Sequence, residues 1–80
     1  MKSSEVRKTR TLDVRPMMAR GEEPFMKIMS TVAALGKNED FLIVTPFVPA
    51  PLIEKLRSEG FDAQPERRSD GGWQTRFSRG

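Results

Sequence analysis

The stretch that decides the fold is LDVR at residues 12–15, followed after a short loop by GEEPF at residues 21–25. Leu12 and Val14 alternate with polar neighbours, which predicts a short strand over residues 10–14. The proline of GEEPF suits the first turn of a helix, where its missing N–H costs no hydrogen bond. The chain therefore predicts a strand that leads through a loop into a helix.

The predicted first helix has the clearest pattern in the chain. Glu22 and Glu23 precede it and complement the positive end of its dipole. Gly36 is expected to end it in the left-handed conformation. Its apolar residues recur at helical spacing and form one stripe: Phe25, Ile28, Met29, Val32 and Leu35.

The middle of the chain predicts a central strand and a second helix. Residues 37–40 are expected to form a turn, and the uniformly apolar residues 41–44 a strand covered on at least one face. Residues 45–51 contain three prolines and cannot continue that strand. A helix is then expected over residues 51–59, with Gly60 as its stop.

The last part of the chain predicts a β-hairpin. Residues 61–67 and 73–77 are expected to be strands, joined by the turn sequence SDGG at residues 69–72. Strict alternation in the last strand is expected to put Trp73, Thr75 and Phe77 on its inner face.

This order of elements predicts an α/β (α+β) two-layer sandwich, β-α-β-α-β-β, with a four-stranded mixed sheet. Right-handed crossovers would place both helices on one face of that sheet. Residues 1–9 are polar and rich in charge, so we expect them to form a flexible basic arm. Residues 10–80 would then form a single domain.

Composition restricts the chemistry of this protein. The chain contains no cysteine and no histidine, which removes thiol nucleophiles, thiolate metal sites and the commonest general base. We see no catalytic constellation and no cofactor or metal motif, and therefore expect a non-enzymatic protein. No apolar run has the length of a membrane span and no secretory signal is present, so we expect a cytoplasmic protein without a membrane partner.

The positive charge of the chain is confined to its start. Residues 1–11 hold four basic and one acidic side chain, and 4 − 1 = +3 equals the net charge of the whole protein. The neutral body disfavours nucleic acid as a partner. The alternative function is a nucleic-acid-binding accessory that uses the arm together with the basic residues of the hairpin, Arg67, Arg68, Arg76 and Arg79.

The ordered set LDVR, GEEPF, Gly36, Gly60 and DGGW at residues 70–73 resembles domain of unknown function 2249 (DUF2249) over residues 11–78. That family is similar to the TusA/SirA sulfur-carrier proteins, so the resemblance implies a TusA-like fold and a role near sulfur, redox or metal metabolism. TusA-like proteins carry sulfur on the cysteine of a Cys-Pro-x-Pro motif at the start of the first helix. Gly21 stands at that cysteine, and glycine has no nucleophile, so the resemblance does not imply sulfur transfer.

The loop over residues 15–24 and the helix start behind it form the best candidate surface, since free N–H groups at a helix start attract anions. The proline-rich loop after the central strand would lie at the same sheet edge. The alternative is structural: the glutamates stabilise the helix start and the methionines pack. As partner we expect another protein or a small anionic ligand, with the chain a monomer or weak dimer. The candidate residues are Arg15, Met17, Met18, Arg20, Gly21, Glu22, Glu23, Pro24 and Phe47.

Overall fold

The structure, a computed structural model, describes residues 7–79. Its four strands form one mixed sheet in the order β1-β2-β4-β3, in which β1 is parallel to β2 and the other neighbours are antiparallel. The predicted two-layer architecture with a four-stranded mixed sheet is confirmed. The elements are β1 (Lys8–Asp13), α1 (Arg15–Ala19), α2 (Phe25–Ala33), β2 (Glu39–Thr45), α3 (Ala50–Ser58), β3 (Phe61–Arg67) and β4 (Trp73–Arg79).

The hydrophobic core lies on one face of the sheet. Phe41 and Phe77 are opposite one another on the two central strands, with ring centroids 6.0 Å apart in a stacked arrangement. Phe61 meets Phe77 edge to face at 6.4 Å. Because residues of α2 and α3 join the same cluster, both helices cover this one face. Their contributions are Ile28 and Val32 from α2, and Ile53 and Leu56 from α3.

The other face of the sheet is held by ion pairs around a buried carboxylate. Asp40 is 7% exposed and lies between two guanidinium groups, with Arg7 Nε 2.9 Å and Arg76 Nη1 3.2 Å from its oxygens. Its hydrogen bond to Arg7 keeps the pKa of Asp40 below its ordinary value.

The predicted turn over residues 37–40 was wrong at its last two residues, because β2 already begins at Glu39.

The helix α1 was not predicted, because residues 15–24 were expected to be a loop. It is five residues long, too short to show a helical period in the sequence. Gly21, with φ of 79°, ends it. The Gly21 N–H donates to the Met18 carbonyl (3.0 Å) and the Glu22 N–H to the Met17 carbonyl (2.9 Å), which is the Schellman arrangement of a helix end. The structure thus has three helices where two were predicted.

The boundary of the predicted arm also differs from the structure. Lys8 and Thr9 belong to β1, paired in register with Glu39 and Asp40 of the neighbouring strand. Backbone pairing to β2 extends regular structure into residues whose polar side chains gave no sign of it. The remainder of the predicted arm, residues 1–6, lies outside the described residues, as does Gly80.

Gly36 does not end α2 in the left-handed region, and that prediction was wrong. The helix ends at Ala33, because the next two N–H groups donate to carbonyls three residues earlier and not four. These bonds join Ala34 to Thr31 and Leu35 to Val32. The Gly36 N–H instead donates to Glu39 Oε1 at 2.9 Å. Gly60, after α3, does adopt the predicted conformation, with φ of 96°.

The inner face of β4 agrees with the prediction at two of three positions. Thr75 and Phe77 are completely buried, whereas Trp73 is only half-buried and lies outside the core cluster. Trp73 pairs with Thr45 at the very end of β2, where the sheet and its helical cover stop. Thr75 Oγ1 has no hydrogen-bond partner among the residues that the structure describes.

Replacing Thr75 by valine is expected to stabilise the protein. A buried hydroxyl without a partner carries a desolvation cost that a methyl group of similar shape does not, so the free energy of unfolding should rise by about 1 kcal/mol. Urea denaturation of the Thr75→Val variant measures this. A loss of stability would show that the hydroxyl has a hydrogen bond in solution.

Replacing Gly21 by alanine is expected to lower the free energy of unfolding by about 1 kcal/mol, because a Cβ disfavours the left-handed conformation. The matched control is Gly36→Ala, where φ is not positive and the new Cβ would lie 3.8 Å from Glu39 Oε1. Urea denaturation should show a loss for the first variant only. Equal losses would contradict the assigned role of Gly21.

Candidate functional site

An apolar cavity of about 320 Å³ opens between α2, α3 and the carboxyl end of β2. Its base is formed by three core side chains, Val14, Ile28 and Ile43, which are buried. Its walls come from segments that lie far apart in the sequence. The wall residues are Met18, Pro24, Pro49, Pro51 and Leu52, and the polar residues Glu23, Thr45 and Lys55 also contribute.

Exposed aromatic side chains stand at the opening of this cavity. Phe25 and Phe47 both line it and remain 46% and 55% exposed. Their chain neighbours Met26 and Val48 are 78% and 39% exposed. Within residues 7–79 these four are the exposed large apolar side chains, and they are confined to two short segments. Contiguous apolar surface, here the rings of Phe25 and Phe47 at one opening, marks an interaction site more often than scattered residues do.

Local hydrogen bonds fix the two segments that carry the aromatic rings. The Thr45 hydroxyl donates to the Phe47 carbonyl at 2.6 Å and turns the chain as it leaves β2. Pro49 is buried directly before α3, and prolines restrict the backbone of this loop. On the opposite side, Glu23 Oε1 accepts the N–H of Phe25 at 3.0 Å and caps the start of α2. Contacts within the chain therefore fix the shape of the opening.

The structure brings together four of the nine residues predicted for the candidate surface. Met18, Glu23, Pro24 and Phe47 line the cavity, so the start of α2 and the loop after β2 lie together around it. Met17 packs against the core instead. The other five predicted residues do not line this cavity: Arg15, Met17, Arg20, Gly21 and Glu22.

The basic residues of the predicted surface already have acidic partners. Arg20 Nε lies 2.9 Å from Glu22 Oε2 on an exposed part of the chain, and this contact lowers the pKa of Glu22. Arg15 points toward the β3–β4 hairpin, where it contacts Asp70. Arg15, Arg20 and the Phe25 N–H, which were expected to hold an anion, are therefore already bonded to carboxylates of the chain itself.

The sequence prediction missed most of the cavity lining. Phe25 was assigned wholly to the core stripe, although it stands at the exposed end of α2. A signal existed in the adjacent apolar pairs Phe25-Met26 and Phe47-Val48, which neither helical nor strand periodicity explains fully. The missed residues are Val14, Phe25, Ile28, Ile43, Thr45, Pro49, Pro51, Leu52 and Lys55.

The described part of the chain was compared with the requirements of a carboxylate metal site and of a membrane-spanning helix. Residues 7–79 hold no group of three or more acidic side chains placed to bind a metal ion. None of the helices in that range is long and apolar enough to cross a membrane. The three partly buried methionines, Met17, Met18 and Met29, pack against the core.

A charged network closes the end of the sheet beside the cavity. Arg15 bonds Asp13 (2.9 Å) and Asp70 (3.1 Å), and Arg68 Nε lies 3.1 Å from the second of these carboxylates. Asp70 also accepts the backbone N–H of Gly72 at 3.0 Å. That N–H, together with the two guanidinium groups, lowers the pKa of Asp70 to about 2.

This network predicts an acid-sensitive fold. Because the folded-state pKa of Asp70 lies below its ordinary value of 3.8, the ionised carboxylate stabilises the protein above about pH 4. That contribution is lost as the pH falls from about 4 to about 2. Urea midpoints measured across this range should fall, and the fall should be smaller in the Asp70→Asn variant. An equal fall in both proteins would mean that other carboxylates govern acid unfolding.

Comparison with known proteins places this fold in a family. A family model described as an uncharacterized conserved protein (DUF2249) matches residues 11–79, which is almost all of the described chain. Comparisons with curated proteins and with solved structures give no match. The matched segment holds the whole cavity lining and both segments at its opening. The chain therefore belongs to the DUF2249 family.

Proposed function

We propose that this protein is a non-catalytic binding module whose cavity receives apolar side chains of a partner protein. The observation that carries the proposal is the coincidence of the cavity with the exposed apolar residues at its opening, Phe25 and Phe47. Exposed aromatic rings around an apolar depression are typical of the centre of a protein–protein interface. The absence of cysteine and histidine from the sequence supports a binding role over a catalytic one.

The size of the cavity supports an occupant of one or two side chains. An apolar cavity of about 150 Å³ takes up benzene, so a volume of about 320 Å³ has room for an aromatic ring together with an aliphatic side chain. Small-molecule sites start near this volume and usually carry several convergent polar groups. Here Glu23 caps a helix and Lys55 pairs with Glu59, so few polar groups remain to orient a small polar ligand.

The charges of the molecule argue against the two other occupants considered. A small anion would need Arg15 or Arg20, and both are paired with carboxylates. Nucleic acid would need the basic hairpin, in which Arg76 contacts Asp40 and Arg79 lies over the Phe61 ring at 4.8 Å. An apolar segment of a partner requires none of these groups.

The resemblance to sulfur carriers supports placing the contact at the start of α2. In those proteins the reactive cysteine belongs to this helix start, and Gly21 stands at that position here. We propose that the module has kept the contact surface without the sulfur chemistry. A role beside sulfur, redox or metal metabolism would then belong to the partner.

Peptides selected by surface display against the protein are expected to carry an aromatic or aliphatic anchor. Loss of one buried aromatic contact costs roughly 1.5–3 kcal/mol. The Phe47→Ser variant should therefore bind the selected peptides at least about tenfold more weakly. Isothermal titration calorimetry measures the difference.

The matched control for this experiment is Met26→Ser, which removes an apolar side chain that is more exposed but does not line the cavity. It should bind the same peptides within about twofold of the unmodified protein. Selected peptides without an apolar anchor, or equal effects of both variants, would contradict the proposal. Binding of RNA oligonucleotides that shifts NMR signals of residues 66–79 would favour the nucleic-acid alternative.

A further inference from the structure

The two edges of the sheet differ in whether another strand can add to them. The edge strands are β1 and β3, because the order is β1-β2-β4-β3. An edge strand presents unpaired N–H and C=O groups, and proteins commonly block such edges to prevent pairing. Within residues 7–79, the edge at β3 is blocked in this way, whereas the edge at β1 is open.

The edge at β3 is blocked by two features. The Arg68 N–H donates to the Gly72 carbonyl, which fixes the even-numbered residues of β3 as those that face β4. The outward groups therefore belong to odd-numbered residues. One of these is Pro65, which has no N–H to donate. Another is Ala63, whose carbonyl accepts a hydrogen bond from Arg57 Nη2 (3.3 Å).

The edge at β1 has neither feature. The N–H groups of Lys8 and Val14 bond carbonyls at either end of β2, so the even-numbered residues of β1 face the sheet. The outward groups are those of Thr9, Thr11 and Asp13. None of these is proline, and their backbone groups have no partner within the part of the chain that the structure describes.

The pattern of outward groups selects the register in which β1 can pair with an identical strand. Two copies related by a two-fold axis run antiparallel, and only Thr9, Thr11 and Asp13 can face one another to form hydrogen bonds. A register centred on Arg10 would place two guanidinium groups directly opposite, which is destabilising. A register centred on Thr11 avoids this and uses the full length of β1.

We propose that a second copy of this chain adds to the β1 edge, with Thr11 on the two-fold axis, and forms a continuous eight-stranded sheet. Thr11 pairs with Thr11 of the partner subunit, and Thr9 pairs with Asp13 of the partner subunit. Each of these hydrogen-bonded pairs exchanges two bonds, which gives about six in all.

Side chains along β1 fit this arrangement. In this register Lys8 lies opposite Val14, Thr9 opposite Asp13 and Thr11 opposite Thr11, so no two like charges face each other directly across the strands. Arg10 lies opposite Leu12 of the partner subunit on the helix side of the sheet. Leu12 is half-buried in one chain and packs against the core, so the aliphatic part of Arg10 covers the rest of it.

The dimer is tested by sedimentation equilibrium between about 10 µM and 1 mM, because an interface of one strand is small and dissociates readily. The unmodified protein should change from the 9.1 kDa of a single chain toward twice that mass. Hydrogen exchange should show protection of the Thr9, Thr11 and Asp13 amides that grows with protein concentration. A monomer at 1 mM, or a dimer in which these amides exchange freely, overturns the proposal.

The deciding variant is Thr11→Pro, which removes an N–H that faces away from β2 and therefore leaves the ladder within the chain intact. Loss of both bonds on the two-fold axis should raise the dissociation constant at least about thirtyfold. The matched control is Thr11→Val, which keeps the N–H and should dimerise like the unmodified protein. A dimer that persists unchanged in Thr11→Pro overturns the proposal.

One further outcome identifies a different occupant. If the protein stays monomeric but an extended peptide from a display selection protects the three outward amides, the edge receives another protein and not a second copy. This test is independent of the cavity. Phe47→Ser should leave the dimer unchanged, and Thr11→Pro should leave peptide binding at the cavity unchanged.

Discussion

Packing of Phe41 against Phe77 across the two central strands is the contact on which the rest of the structure depends. The two rings stack at 6.0 Å, and Phe61 of the neighbouring strand closes the cluster. A shift of one residue in either strand would move these rings to the opposite face of the sheet. The aromatic cluster thus fixes the register, and the register decides which face α2 and α3 cover and which face carries the ion pairs of Asp40.

The cavity follows from where this core stops. The helices cover the middle of the sheet, and at the carboxyl end of β2 the chain turns away through a loop that Thr45 and the prolines hold in place. Ile43 and Val14 are the last core residues before that end, and they form the base of the opening. A small domain has few residues with which to cover the apolar side chains at every end of its sheet. The uncovered end is where Phe25 and Phe47 remain exposed.

The charged side chains mostly act within the molecule. Arg15, Arg20, Arg68 and Arg76 each contact a carboxylate, so these four arginines are neutralised within the molecule. Arg15 and Arg68 tie the start of α1 to the β3–β4 hairpin and so hold together segments that lie far apart in the sequence. Exposed ion pairs of this kind add little stability individually, and their main effect here is to fix the geometry of the loops.

Periodic segments were predictable because their pattern is local. Three such patterns indicated which side of an element is buried, and the structure agrees with each. They are the stripe from Ile28 to Val32, the apolar run of β2 and the alternation of Thr75 with Phe77. Short or irregular segments were not predictable in this way. The helix α1 has too few residues to show a period, and α2 ends before Gly36 because hydrogen bonds to nearer carbonyls close it first.

The sequence by itself determined the order of the four strands and of α2 and α3, and the mixed sheet with these two helices on one face. Only the tertiary structure decided that the start of α2 and the loop after β2 enclose an apolar cavity, and that Arg15 and Arg20 pair with carboxylates. Whether Arg15 faces a ligand or Asp70, 55 residues away, depends on how the hairpin folds back against β2. A linear pattern records the burial preference of each element, but the approach of distant side chains is set by the packing of those elements on one another.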